Sequence, residues 1–426
     1  RARMRILLGH NKLYYPSYGG GDRSNRLLMA ALAARGHACR VVARLGQFTA
    51  EDRQRLVADL AARSVGPVAE QQDAVAFELD GVEVRVVTSA RLMRAFFVAE
   101  IKSFAPDVVL TSTDDPAQLL LGAALEAGPP RVAYLARTTL DAPFGPDSAF
   151  PDESKAALLR RVDGVVGVSE YVAAYFRKWG AIDAVHLPIS LLEPGPYPAL
   201  ARYDNEFVTL VNPCAVKGIS ILLALADRMP AVRFAAVPTW GTNAGDLEEL
   251  RRRPNIEILE PVDDVNRLFA RTRVLLVPSL WAEARSRIIP EALLRGTPVL
   301  ASNVGGIPEA MLGLDYVLPV RPIQRYWRQL DDRRVPVAQT PPQDIGPWQD
   351  ALAGLLTDRG RYEALSAQSR ARALAYAEGL SVEPFEQFLA GIVRRPARRA
   401  APPVKTGAVA GLERLSEEKR RLLALR

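Results

Sequence analysis

Short β-branched runs alternate with segments of helical period along almost the whole chain, and no other feature restricts the fold as much. Continuous apolar strands, each followed by an amphipathic helix, build parallel sheets covered by helices on both faces. Two such series are separable. The first predicts strands at Arg5–Gly9, Cys39–Ala43, Val82–Thr88, Val108–Thr111, Arg131–Leu135 and Gly164–Val168, with helices at about Asp22–Arg35, Arg91–Phe104, Ala117–Ala127 and Glu170–Trp179. The stretch LPISLLEPGPYPALARYDNE (Leu187–Glu206) then carries four prolines and neither period, as a linker does. The second series predicts strands at Phe207–Val211, Arg233–Val237, Ile256–Leu259, Val274–Val277, Pro298–Ala301 and Tyr316–Leu318. Its helices fall near Ile219–Arg228, Val265–Arg271, Arg287–Arg295 and Pro308–Leu312. Trp348–Ile392 is helical only, and a helix so far beyond the last strand is expected to pack back across a neighbour. The expected fold class is α/β, with two doubly wound units joined by a proline-rich hinge.

A length of 426 residues fits two or three domains. Two cysteines, Cys39 and Cys214, cannot form a disulfide framework, and three histidines leave little material for a zinc site. A reduced, cytoplasmic protein is expected. No apolar run approaches the roughly 18 residues of a membrane span, and the opening RARMRILLGHNK is too short in apolar residues for a signal peptide. Residue 1 is not Met, so a mature form or a piece of a longer polypeptide is expected. The formal charge of +7 would invite a nucleic-acid partner. From Arg394 onward, however, there are ten Lys or Arg against three Glu, and the preceding residues balance. The basic excess therefore belongs to a linker and short helix over residues 394–426, and nucleic acid is not expected.

Two motifs carry chemistry. In YYPSYGGGDRSNRLL (Tyr14–Leu28), Gly19, Gly20 and Gly21 let backbone approach a ligand, and the following helix N-terminus offers N–H groups to an anion. The spacing is not G-x-G-x-x-G, which disfavours a nicotinamide cofactor. In VLLVPSLWAEARSRIIPEALLRGTPVLASNVGGIPE (Val274–Glu309), a strand ends at Pro278, a loop carries Glu283, and a helix contains Glu291. At 1.5 Å rise per helical residue the two carboxylates lie roughly 6–10 Å apart, the scale of a diphosphate. The N–H groups of Arg285, Ser286, Arg287 and Ile288 face the same crevice, at the carboxyl end of a parallel strand.

Glu283 and Glu291 in E-x7-E spacing resemble the retaining glycosyltransferases of family 4. The flanking RGH (Arg35–His37), VDGVVGVSEYVAAYF (Val162–Phe176), NPCAVKGISILLAL (Asn212–Leu225) and TPVLASNVGGIPE (Thr297–Glu309) resemble them too, in order. The resemblance covers about residues 4–392. It implies two facing doubly wound Rossmann-like domains with a donor cleft between them. An N-terminal acceptor domain over 1–190 would be completed by a crossing helix at about 380–393, and a donor domain would span 204–378.

It further implies that Glu291 holds the donor ribose and that Glu283 and the backbone after it contact the transferred sugar. Lys217 would neutralise the departing diphosphate, with Asn212 beside it. Gly19 to Gly21 would approach from the other domain, and Tyr18, Asp22 and Asp141 would meet a small-molecule acceptor. The nucleotide-sugar, a UDP-sugar in most relatives, is a substrate, and no cofactor is expected. No Asp-x-Asp occurs, so metal use is not expected.

The chain departs from the family in two places. An arginine expected before Lys217 is missing, and Arg137 stands where relatives have a histidine. Arg137, or Arg285 where relatives often have an aromatic, is expected to supply the missing charge. A second reading stands beside the hexosyltransferase one: a weak or inactive docking module that keeps the fold. LERLSEEKRRLLALR (Leu412–Arg426) resembles the short helix before condensation domains of nonribosomal peptide synthetases. That would imply a megasynthase or carrier-protein partner and a peptide or polyketide acceptor from secondary metabolism. RLMRAFFVAEIKSF (Arg91–Phe104) reads as a core helix or, alternatively, a membrane-surface helix.

Overall fold

The computed structural model describes residues 3–17 and 19–395, with the side chain of Arg328 also left out. Tyr18 and the linker and tail helix expected beyond Arg395 lie outside the described residues.

Strands β1 (Arg5–Gly9), β2 (Ala38–Arg44), β3 (Ala69–Glu70), β4 (Ala74–Leu79), β5 (Val82–Val87), β6 (Val108–Ser112), β7 (Arg131–Ala136), β8 (Gly164–Gly167) and β9 (Ala184–His186) form one sheet. Their order is β3-β4-β5-β2-β1-β6-β7-β8-β9. Strands β10 (Phe207–Val211), β11 (Phe234–Val237), β12 (Ile256–Ile258), β13 (Thr272–Val277), β14 (Val299–Ser302) and β15 (Val317–Leu318) form a second. There the order is β12-β11-β10-β13-β14-β15, parallel throughout. Both contain the doubly wound 3-2-1-4-5 progression, so chain direction switches between β1 and β6 and between β10 and β13. Ligands of open α/β sheets bind outside the carboxyl ends of strands at such points.

Helices α1 (Gly20–Ala34), α2 (Ala50–Ala62), α3 (Met93–Phe104), α4 (Leu119–Glu126), α5 (Glu153–Leu159) and α6 (Glu170–Gly180) accompany the first sheet. Helices α7 (Ile219–Arg228), α8 (Ala244–Arg251), α9 (Val265–Phe269), α10 (Ile288–Leu294), α11 (Ile307–Ala310), α12 (Gly346–Thr357) and α13 (Arg359–Gly379) accompany the second. Helix α14 (Glu383–Arg394) returns to the first, burying Phe385, Leu389 and Ile392 in its core. Burial of each such side chain contributes about 1.5–3 kcal/mol. The RGH segment fixes that return. Arg35 and His37 reach the Glu386 carboxylate at 2.5 and 2.9 Å, while His37 Nδ1 accepts the Met4 N–H at 3.1 Å.

The first sheet is not wholly parallel, contrary to the expectation from sequence. β4 runs antiparallel to β5 through a two-residue turn at Asp80 and Gly81, whose φ angles are 51° and 74°. A turn with two positive φ angles matches the twist of flanking strands, and Asp-Gly is its usual sequence. A second hairpin, β16 (Tyr326–Leu330) with β17 (Pro336–Ala338), was also not anticipated. Helix α3 buries Met93, Phe97, Ile101 and Phe104 in the first core, which favours the core reading over the membrane one. Among the described residues no helix is long and apolar enough to cross a membrane.

Candidate active site

The two switch points face one another, and backbone geometry sets the first functional pair. After β10 the chain makes a single 3₁₀ turn, Ala215–Lys217, ended by Gly218 at φ 79°. A Cβ on Gly218 would stand 1.9 Å from the Pro278 carbonyl oxygen, so only glycine lets this turn lie on the loop after β13. The Leu280 N–H donates to the Val216 carbonyl at 2.9 Å, zipping the two loops together.

Lys217 Nζ consequently lies 2.6 Å from Glu283 Oε1, and the Ser279 hydroxyl donates to Oε2 at 2.6 Å. Burial alone would push the Glu283 carboxyl up; Lys217 and the hydroxyls of Ser279 and Ser286 outweigh it and hold the group below the usual carboxylate range. Gly306 closes the other side, where a Cβ would stand 1.9 Å from the Ala284 carbonyl oxygen.

Eight residues on, Glu291 accepts from Arg287 Nε at 2.9 Å, with Arg23 of α1 at 3.9 Å. Arg287 also donates to the hinge carbonyl of Leu191 at 2.5 Å. It lies against the glycine loop, since a Cβ on Gly20 would stand 3.9 Å from Arg287 Cβ. Gly21 has the same relation to Arg137, at 3.9 Å from its Cδ.

Arg137 is the unusual member of this group. It donates to Asn25 Oδ1 at 2.8 Å and to the Ile189 carbonyl at 3.1 Å, and among the described residues no carboxylate lies within ion-pair distance of it. Burial lowers its pKa to about 10, with Asp114 opposing and Arg287 adding to the effect. A buried cation served only by neutral acceptors is a ready anion site.

Other candidates lie elsewhere. Asn212 ends β10 at φ 61°, and its Oδ1 accepts the Gly241 N–H at 2.9 Å. Ser286 is spent on Glu283, and Ile288 opens α10. Arg285 turns away from the crevice, donating to the Tyr376 hydroxyl at 2.9 Å, and lines a separate recess at the hinge with His186 and Ser190. Of the two arginines, Arg137 lies against the glycine loop, whereas Arg285 is engaged with Tyr376. Asp22 caps α1, accepting the Gly19 N–H at 3.1 Å. Asp141 borders the first-domain side, open to solvent in a concave wall whose enclosure pushes its carboxyl up to about 6.

Sequence analysis singled out neither His10 nor Asp114. The structure sets His10 Nδ1 2.9 Å from Asp114, with Asp22 3.5 Å from Nε2. Burial opposes the imidazolium, but the two carboxylates overcome it and raise the His10 pKa. The available signal was that Gly9 and Ser112 end neighbouring strands of the switch point. Asp115 accepts the N–H groups of Leu119 and Leu120 at the start of α4, at 3.1 and 2.7 Å.

The domains also meet directly. The Thr139 hydroxyl donates to the Ala282 carbonyl at 3.3 Å, and Glu309 accepts the N–H groups of Glu170 and Tyr171 at the start of α6, at 2.9 and 2.8 Å. Among the described residues no group of three or more His, Cys, Asp or Glu side chains is placed to hold a metal ion.

Residues 18–189 match the model of Glycosyltransferase Family 4, and residues 207–321 that of Glycosyl transferases group 1. Sucrose-phosphate synthase of Thermosynechococcus elongatus superimposes with a TM-score of 0.62 at 18% identity, over 92% of this chain and 98% of that one. HepE of Anabaena in complex with UDP and glucose does so with a TM-score of 0.59 at 16% identity, over 91% and 98%. The chain has the B-type glycosyltransferase fold. Within this glycosyltransferase fold, the Glu283–Glu291 segment falls inside one matched region and the glycine loop with Arg137 inside the other.

D-inositol 3-phosphate glycosyltransferase of Mycobacterium avium is 29% identical over 237 residues, 51% of this chain and 50% of that protein. The chain spans half or less of the length of the curated relatives it matches. The β16–β17 hairpin of this glycosyltransferase fold lies outside both matched regions.

Proposed function

We propose that the protein is a retaining glycosyltransferase, of hexosyl type, that moves a sugar from a UDP-sugar to an acceptor hydroxyl. The observation that carries this reading is the convergence on one crevice of Lys217 paired with Glu283, Arg287 paired with Glu291, and the carboxylate-free Arg137. Three cations and the α1 N-terminus suit a diphosphate, while two carboxylates suit the hydroxyls of ribose and hexose.

In the proposed reaction the anomeric carbon–oxygen bond to the diphosphate breaks, and a bond to the acceptor oxygen forms on the same face. The acceptor proton passes to a departing phosphate oxygen. Negative charge builds on that phosphate, where Lys217, Arg137 and Arg287 stabilise it without any reorganisation during the step. Charge neutralisation by side chains requires no metal ion in this scheme. Contact between the domains through Thr139 and Glu309 supports a closed state that excludes water. Glu283 is not assigned as a nucleophile.

The test is calorimetric UDP binding, followed by release of UDP from UDP-hexoses in the presence of acceptors. Failure of the wild-type protein to bind UDP overturns the reading. A peptide or polyketide acceptor and an assembly-line partner rest on the tail resemblance, and a cytoplasmic setting on the two free, buried cysteines, Cys39 and Cys214. Tight UDP binding without turnover on any acceptor would favour the docking-module alternative.

A further inference from the structure

Two stretches carry the chain between the domains, the hinge that follows β9 and the connection from α13 to α14, and both line one recess of about 270 Å³. Its other walls are Val168 after β8, His186 of β9, Arg285 of the loop that carries Glu283, and Tyr376 in the last turn of α13. The volume is close to the lower bound of about 300 Å³ for small-molecule sites, which suits a metabolite rather than a polymer chain.

Hydrogen bonds divide the polar walls by role. The Tyr376 hydroxyl accepts from Arg285 at 2.9 Å, which leaves its own proton and the other guanidinium N–H groups to donate. The guanidinium also lies 5.3 Å from the centre of the Tyr376 ring, so the two side chains are held together. His186 Nδ1 stands 3.0 Å from the Gly167 carbonyl, which can only accept. Nδ1 therefore carries the proton, and Nε2 of the neutral ring accepts. Ser24 donates to the Gly20 carbonyl at 2.8 Å, so in its 3.1 Å contact with Ser190 the Ser190 hydroxyl donates and keeps its lone pairs for the recess. The second-domain wall thus donates and is charged, while the first-domain and hinge wall accepts.

Those roles select a ligand. Among the described residues that line the recess there is no carboxylate, so a cation meets Arg285 with nothing to neutralise it. An anion without hydroxyls suits Arg285 and Tyr376 but offers no proton to His186, to Ser190 or to the carbonyls that end α13. A neutral polyol leaves the guanidinium unmatched. A small anion that also bears hydroxyls matches both walls. The recess is joined to the donor crevice twice, because Arg285 is two residues from Glu283 and Ser190 is bonded to Ser24 in the first turns of α1.

We propose that this recess is an effector site for a small hydroxylated anion of the sugar-phosphate or sugar-acid class, which ties the two domains together from the hinge. It lies apart from the donor and acceptor positions of the proposed reaction and goes beyond that reading. A ligand that touches both walls favours the arrangement in which the domains meet. By linkage it tightens UDP binding, and UDP tightens its binding by the same factor.

The experiment titrates the full chain calorimetrically with glucose 6-phosphate and with gluconate, and with glucose and inorganic phosphate as the two half-ligands, each with and without saturating UDP. Glucose 6-phosphate or gluconate is expected to bind at least tenfold tighter than either half-ligand, and the tighter of the two identifies the anion. Arg285→Leu should weaken it at least tenfold, and Arg285→Lys, which keeps the charge, should weaken it less; thermal unfolding shows that each variant is folded. UDP should bind at least threefold tighter in the presence of the effector, a gain that Arg285→Leu loses. Binding of neither hydroxylated anion, equal affinity in Arg285→Leu, or a half-ligand that binds as tightly overturns the site. An effector that leaves UDP affinity unchanged or lowers it overturns the tie between the domains. Failure of the wild type to bind UDP overturns the glycosyltransferase reading instead, and the titration without UDP still decides the recess.

Discussion

Lys217 and Glu283 form an ion pair 2.6 Å long between two loops that a single glycine, Gly218, allows to touch. In the proposed reaction the pair serves in two ways: the carboxylate, held ionised, would meet sugar hydroxyls, and the ammonium would face the charge developing on phosphate. Lys217→Ala and Glu283→Gln are each expected to lower kcat by about 10²–10³-fold with the fold retained. Lys217→Ala also leaves a buried charge unpaired, at a cost of about 3 kcal/mol. The double variant should recover stability, but not turnover. Unchanged UDP release in both single variants would sink the assignment.

Arg137 should show opposite effects on stability and binding. A buried guanidinium with no carboxylate partner among the described residues is unfavourable until an anion arrives. Arg137→Met is therefore expected to raise Tm in the absence of nucleotide and to weaken UDP binding about tenfold or more. A fall in Tm with unchanged UDP affinity would make Arg137 structural.

Asp141 titrates near neutrality, its carboxyl pushed up to about 6 by the surrounding protein and drawn down slightly by Lys12. A carboxyl whose folded pKa exceeds its unfolded value binds its proton more tightly in the folded state. It therefore costs stability above pH 6, a cost relieved as pH falls towards 4. Asp141→Asn should exceed wild type in Tm at pH 7.5, with the difference closing below pH 4. Thermal unfolding of both proteins across that range decides it.

The crossing helix is the fourth point of attack. Phe385 is fully buried in the first core, and Phe385→Ala is expected to cost about 3–5 kcal/mol by urea unfolding. Burial raises the Glu386 pKa, but His37 and Arg35 more than reverse this and hold it below its ordinary value. Its contribution is thus present above about pH 4.5 and lost as pH falls through the depressed value. Glu386→Gln should flatten that acid limb.

What the sequence disclosed follows the strength of its periods. Strands such as Val108–Ser112 and Arg131–Ala136 are buried at nearly every position, so their apolar runs announced them. Helix α2 escaped because it buries only Leu56 and Leu60, too narrow a stripe to read. Strand β4 escaped because the doubly wound pattern was imposed across the Asp80-Gly81 turn, whose dipeptide was the missed signal. The crevice was legible through motif spacing, which fixes Glu283, Glu291 and Lys217 along the chain. Long-range pairings were not: His10 with Asp114 and Arg285 with Tyr376 depend on which loops meet, and no local pattern encodes that.

Glu309 accepts the first N–H groups of α6 from the opposite domain. The Ser169 hydroxyl caps the helix within its own domain by accepting the Val172 N–H, while the two preceding N–H groups are satisfied from across the cleft, so cleft opening would expose those two alone. Amide exchange at Glu170 and Tyr171 would then act as a native gauge of domain separation, slowing when a nucleotide draws the halves together and quickening in Glu309→Ala.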